Sequence, residues 1–395
     1  MNMIEKALEI KQNTIAVRRD IHRHPELGFE EIRTSRLVAE KLGALGLDVQ
    51  REIAETGVVG LLHGNTESPV LLLRFDMDAL PIQEATSAPY VSESPGKMHA
   101  CGHDSHVAVG LSVAALLAEV RESIPGTIKF VFQPAEEGGG GAEKMVAAGV
   151  LENPKPDFSM GMHVWNDKPV GWYGVTEGPV MAGAQIFEVK ITGKGGHGAA
   201  PHLSVDPIIA AAHIITGLQT IVSRNVHPLD SAVVSVCKIN AGTAFNIIPQ
   251  EAIFSGTIRT FKPEISELVV KRFKEIINNL TQGLGCQAEI SIKRVTLPVI
   301  NDLGLCKLMR EIIHTIDTDA EVDFKLQTMG SEDFSYMMDE IPGCFVMVGS
   351  ANPEKGLMYG HHHPKFDIDE ACLPYAVAII AQGALEILKK HRREA

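Results

Sequence analysis

The chain has 395 residues, 45% apolar and 22% charged, with a formal charge of -13 and a pI near 5.7. That balance belongs to a soluble globular protein, and the length is too great for one ordinary core, so two domains are expected. The acidic charge and the lack of any Lys/Arg cluster before the tail "KKHRR" exclude a nucleic-acid binder. The amphipathic start "MNMIEKALEIKQ" does not read as a signal peptide, and no uninterrupted apolar run approaches the roughly 18 residues of a membrane span. Six scattered cysteines (101, 237, 286, 306, 344, 372) form no CxxC pair, so a cytoplasmic location without disulfides is expected.

In chain order, residues 4–24 and 30–46 predict helices, the second closed by Gly46. "GVVGLLHG", "PVLLLRFD", "GTIKFVFQ" and "FSMGMHVW" predict short apolar strands, with helices in "HVAVGLSVAALLAEVRE" and "GAEKMVAAGVL". Such alternation predicts an α/β sheet covered on both faces. From residue 182 the order changes to βαββαβ: "QIFEVKITG", "DPIIAAAHIITGLQTIVSRN", "SAVVSVCKIN", "EAIFSGTIRT", "EISELVVKRFKEIINNLTQGL" and "AEISIKRV". The α/β style returns with "LCKLMREIIHTI", "CFVMVGS" and "ACLPYAVAIIAQGALEILKKH". The expected organisation is a mostly parallel α/β domain in two parts, 1–181 and 296–395, with a ferredoxin-like α+β domain inserted at 182–295.

Ligands of open α/β sheets bind beyond the carboxyl ends of the strands. Asp76 and Asp78 follow "VLLLRF", Glu136 and Glu137 follow "TIKFVFQP", and His163 lies near the end of "FSMGMHV". His361, His362 and His363 come after "CFVMVGS", and "KMHACGHDSHVAVG" brings His99, Cys101, His103, Asp104 and His106 to a helix start. Taken singly, each is ordinary: paired glutamates suit a solvated loop, His163 a core histidine, Cys101 a small buried hydrophobe. Together they place carboxylates, imidazoles and a thiol on one rim, a composition suited to transition metals, two of them by the number of donors.

The motifs "RRDIHRHPELGFEE", "RFDMDALP", "MHACGHDSHVA", "FQPAEEGGGGA", "MHVW", "GKGGHGAAPH", "FNIIP", "GTIRT", "GSEDFSYM" and "HHPKFDIDE" run in order along almost the whole chain. In them the chain resembles the M20 metallopeptidases, within them the amidohydrolase subfamily of hippurate hydrolases, aminoacylases and indole-acetyl-amino-acid hydrolases. The resemblance implies a zinc-exopeptidase-like catalytic domain and two divalent metal ions per subunit, zinc first, with manganese, cobalt or nickel as alternatives. It implies Cys101, His103, Glu137, His163 and His362 as ligands, with Cys101 between the metals and His361 or His363 as rivals of His362. Glu136 is then the general base, and Asp76 orients the site, with Arg74 where the wider superfamily has a ligand histidine. His197 would hold the scissile carbonyl, and Asn246 and Arg259 would face the substrate.

The implied activity is hydrolysis of N-acyl amino acids to a carboxylic acid and a free amino acid. The alternative is a metallocarboxypeptidase or dipeptidase acting on short peptides. The inserted domain is implied to be a lid through which a homodimer or homotetramer forms. Three rival readings are weaker. "GKGGHG" fits a dinucleotide-binding pattern, but "AAPHLSVDP" separates it from the next helix and no acidic residue lies near 20 positions on. A cysteine hydrolase using Cys101 leaves Glu136, Glu137, His163 and His362 without a role. A structural metal clip favours a closed Cys/His shell, not one rich in carboxylates.

Overall fold

The structure is a computed structural model, and it describes residues 2–392. It divides into two compact units. The first comprises Met1–Gly178, Ile300–Gln327 and Asp333–Ala395; the second comprises Pro179–Val299 and Thr328–Glu332. The short return segment Thr328–Glu332 lies outside the 182–295 span expected from sequence.

The first unit is built on an eight-stranded sheet. Its centre is parallel: Val70–Asp76 lies between Thr127–Gln133 and Phe158–Pro169, and Gly343–Ala351 runs parallel to Phe158–Pro169. Val70–Asp76, Thr127–Gln133 and Gly343–Ala351 are buried at every position. They read as mostly apolar runs without alternation because helices cover both faces. The antiparallel edge strand Asp48–Ile53, paired to Gly57–His63, has no counterpart in the sequence reading. Its residues "DVQREI" are exposed or half-exposed, so no apolar alternation marks it.

The helix His103–Glu119 is buried almost throughout and packs against the sheet core with Leu373–Lys390. The segment Glu370–Lys390 is long and apolar enough to cross a membrane, contrary to the sequence expectation. Its apolar side chains, from Leu373 to Leu388, instead fill the core of this unit.

The second unit is a four-stranded antiparallel sheet in the order Ala232–Ala241, Glu251–Thr260, Gly183–Thr192, Gln287–Thr296. Two helices pack against one face of it to make its core. Pro207–Arg224 starts at Asp206, whose carboxylate accepts from the Ile208 and Ile209 amides, with proline in the first turn. Pro263–Gly283 buries Ile265, Val269, Phe273 and Ile277, one residue per turn on one face.

Candidate metal centre

The carboxyl ends of the central parallel strands set out the site. Asp76 and Gln133 are register partners in the last pair of their two strands, and His163 lies opposite Met347 on the other side. The helix His103–Glu119 begins at Gly102, whose φ of +89° and closeness to Val164 exclude a side chain. A Cβ there would come 2.4 Å from Val164 Cγ2. The chain can therefore turn tightly enough to put Cys101 and His103 beside His163.

Five sets of three donor residues form among the described residues, and two of them share Cys101. In Cys101, His103 and His163, one donor from each lies within 4.8 Å of the other two. The same holds for Cys101, Glu137 and His362. Cys101 is common to both, with its Sγ 3.5 Å from His163 Nε2. His362 Nε2 is 3.1 Å from Glu137 Oε1. Glu136 joins a third set with His103 and Glu137, and its Oε1 accepts from the Asp333 amide at 3.4 Å.

Hydrogen bonds fix which imidazole nitrogen faces the centre. His163 Nδ1 donates to the Val164 carbonyl at 2.6 Å, so Nε2 keeps its lone pair toward Cys101. His103 Nδ1 faces the Asp78 carbonyl at 2.9 Å and Asp78 Oδ1 at 3.2 Å. His103 Nε2 is buried with no hydrogen-bond partner among the described residues. His361 is not equivalent to His362. It sits half-buried beside Cys101, and its Nε2 accepts from the Asn166 amide at 3.4 Å. His363 turns away: its ring stacks on Tyr359 and its Nδ1 accepts from the Lys365 amide. His362 is thus the one of the three in a triad.

Asp76 does not hydrogen-bond His103, from whose Nε2 it is 3.5 Å away. Its Oδ1 takes the proton of His106 Nδ1 at 2.5 Å and its Oδ2 that of Arg74 Nη1 at 2.8 Å. His106 Nε2 accepts from the Val164 amide, so both its nitrogens are used. The carboxylate that holds His103 is Asp78, which also accepts from the Glu137 amide at 2.9 Å. Asp104 faces away, its Oδ2 accepting from Arg18 at 3.0 Å and pairing with His22 at 2.7 Å.

Beneath the site, Arg74 also donates to Gln133 and Asp333, and Asp333 Oδ2 accepts from the Ala142 amide. Arg74 therefore ties three segments together, which explains an arginine at this buried position. Asn166, with one amide donor on Tyr359 O and another on Asp367 O, pins the loop that carries the three histidines. Asp333 falls within the motif "GSEDFSYM", whereas Asn166 does not stand out in sequence, because a single buried polar residue leaves no periodic signal.

The charges fit a cation. Burial pushes the Cys101 thiol well up, and Glu137 and Glu136 add to it. Burial opposes a charge on His103, but Asp76 and Asp78 outweigh it and lift the imidazole to about 10. His163 is driven well down by burial and by His106 and His361, so it is neutral. A pocket that raises a thiol and a histidine together has surplus negative charge, which divalent cations would neutralise.

His197, Asn246 and Arg259 belong to the second unit. Two short strands, Gly196–His197 and Ile247–Ile248, place His197 beside the Asn246 segment, and the Gly198 amide donates to Asn246 O. His197 Nδ1 accepts from the Ala199 amide, leaving Nε2 as the protonated, exposed nitrogen. Arg259 donates to Thr257 Oγ1 and to Ser331 Oγ, and no carboxylate among the described residues pairs with it.

Residues 72–386 match the family model of peptidase family M20/M25/M40. The chain belongs to that family and is a hydrolase of the amidohydrolase type within it. It is 42% identical to IAA-amino acid hydrolase ILR1-like 4 of Arabidopsis thaliana, over 95% of this chain and 85% of that protein. It is 40% identical to the N-acetylcysteine deacetylase of Bacillus subtilis strain 168, over 98% of this chain and 99% of that one. Among solved structures, the YXEP protein of Bacillus subtilis, a dinuclear metal-binding peptidase of the M20 family, superposes with a TM-score of 0.84 at 36% identity. That match covers 96% of this chain and 99% of the other.

Proposed function

We propose that the protein hydrolyses the amide bond of N-acyl amino acids, using two divalent cations held by Cys101, His103 and His163 and by Cys101, Glu137 and His362. The observation that carries this reading is the pair of triads sharing the Cys101 thiol, with Glu136 alongside. Thiolate and imidazole donors favour zinc, while the carboxylate leaves manganese or cobalt usable. When bound, the ions would lower the pKa of a water and polarise the amide carbonyl.

The chain's own groups do the rest. Glu137 and Glu136 are neighbours on a glycine-rich turn, so one can serve as ligand and the other as base. Glu136 takes the water proton and passes it to the leaving amine, a function typically worth about a hundred- to ten-thousand-fold. His197, protonated on Nε2, is proposed to donate to the developing oxyanion. Arg259 has guanidinium donors to spare and suits the free carboxylate of the amino acid, with Asn246 beside the substrate. A ligand thiol must stay reduced, so a cytoplasmic setting is proposed.

The second unit is proposed as a lid that pairs with a second copy of the chain to give a homodimer or homotetramer. Its strand Ala232–Ala241 forms the sheet edge, with Lys238 and Ile239 exposed, and such an edge can add a partner strand.

The test is amino acid release from N-acetyl, benzoyl and indole-acetyl amino acids beside a set of dipeptides. Faster release from the acyl amino acids is expected. A preference for dipeptides would overturn the substrate assignment in favour of a peptidase.

A further inference from the structure

The turn that carries Glu136 and Glu137 has a conformation its own sequence does not favour. Ala135 has a φ of +52°, in the left-handed region that residues with a side chain enter at a cost. Its surroundings are close-packed. A Cβ on Gly28 would lie 2.9 Å from Ala135 Cβ, and one on Gly139 2.6 Å from it, so only glycines pack there. The Ala135 carbonyl accepts from the Gly141 amide at 3.2 Å.

The amide of Ala135 is held by a residue distant in sequence. It donates to Glu31 Oε1 at 2.9 Å. The other oxygen of Glu31 accepts from Thr56 Oγ1 at 2.6 Å, and the side chain has no exposed surface. Glu31 sits at the start of the helix Ile32–Ala44, and Thr56 directly precedes the strand Gly57–His63. The carboxylate therefore bridges a helix start and a strand start to the amide one residue before Glu136. A buried carboxyl is a costly way to join them, so one held by two hydrogen bonds points to a requirement at the turn.

We propose that Glu31 is a positioning residue for hydrolysis: by holding the Ala135 amide it keeps the turn in its left-handed state, with Glu136 and Glu137 facing the centre. The inference rests on the reading of Glu136 as base and Glu137 as ligand. Glu31 itself touches neither substrate nor metal.

The experiment compares Glu31→Gln, Glu31→Leu and Glu31→Leu with Ala135→Gly, in full-length protein. It reads kcat and KM on an N-acetyl amino acid, zinc affinity by competition with a chromophoric chelator, and the unfolding temperature. Glutamine keeps an acceptor for the Ala135 amide and a donor for Thr56, so it should behave as the parent. Leucine should lower kcat or zinc affinity by about 10- to 100-fold, the usual cost of losing a supporting hydrogen bond, with little change in KM. Glycine takes a positive φ without strain, so Ala135→Gly should restore much of the kcat lost by leucine. If Glu31→Leu does not fold, Glu31→Asp, one methylene shorter, is read in its place.

A lower unfolding temperature with kcat and zinc affinity unchanged would overturn the proposal. So would a glutamine variant as impaired as leucine, or no recovery with glycine. Should the parent hydrolyse none of the acyl amino acids, zinc affinity decides alone. Loss in the leucine variant but not in the glutamine one supports the role of Glu31, and equal affinities refute it, independently of the substrate.

Discussion

Asp78 fixes which nitrogen of His103 faces the centre of the site. Its carbonyl and its Oδ1 take the Nδ1 side, at 2.9 and 3.2 Å, and leave Nε2 buried without a hydrogen-bond partner among the described residues. The same side chain accepts from the Glu137 amide, so one carboxylate aligns a residue of each triad. Asp78→Ala should weaken metal binding by about 10- to 100-fold. Competition with a chelator of known affinity measures it, and unchanged affinity would remove Asp78 from this role.

Glu136→Gln should retain both metal ions and lose about a hundred- to ten-thousand-fold in turnover, since glutamine cannot accept the water proton. Metal analysis and single-substrate kinetics on one preparation separate the two effects. Retained turnover in the glutamine variant would assign the base elsewhere.

Cys101→Ala removes the donor common to both triads. The variant should bind fewer than two equivalents of zinc under conditions in which the parent binds two, as read by elemental analysis after dialysis. Two tightly held equivalents would show that the thiol is not a shared ligand.

His22 gives a pH prediction away from the metal. Burial opposes its charge, but Asp104 and Glu84 outweigh burial and raise it from 6.5 to about 9. A group raised on folding stabilises fully below its unfolded pKa and loses that effect as pH climbs through its folded pKa. The contribution is therefore complete below pH about 6.5 and gone above about 9, and a shift of that size corresponds to about 3 kcal/mol. The difference in unfolding free energy between the parent and His22→Gln should shrink across that window. A constant difference would mean that His22 is neutral in the folded protein.

The regular elements of this fold are legible in sequence where burial is continuous or periodic. Val70–Asp76 and Thr127–Gln133 are mostly apolar and buried at every position, and Pro263–Gly283 repeats an apolar residue each turn. The strand Asp48–Ile53 is not legible, because its side chains are exposed or half-exposed and leave no apolar alternation. The same division runs through the site. Cys101, His103, Glu137, His163 and His362 belong to motifs at strand and helix ends, and the structure brings their donor atoms together. The residues that aim them are not recognisable by type. Asp76 and Asp78 follow the same strand and nothing in their sequence says which of them holds His103, and Arg18 reaches Asp104 and Asp367 across 86 and 349 residues of chain.

The dependence of hydrolysis on two cations held through Cys101 stands at the centre of the proposed mechanism. Its most direct test strips the protein with a chelator and titrates zinc back while following amino acid release from an N-acetyl amino acid. Activity should vanish on stripping and return as zinc approaches two equivalents per chain. Full activity in the stripped protein would contradict this dependence and return attention to the Cys101 thiol as a nucleophile.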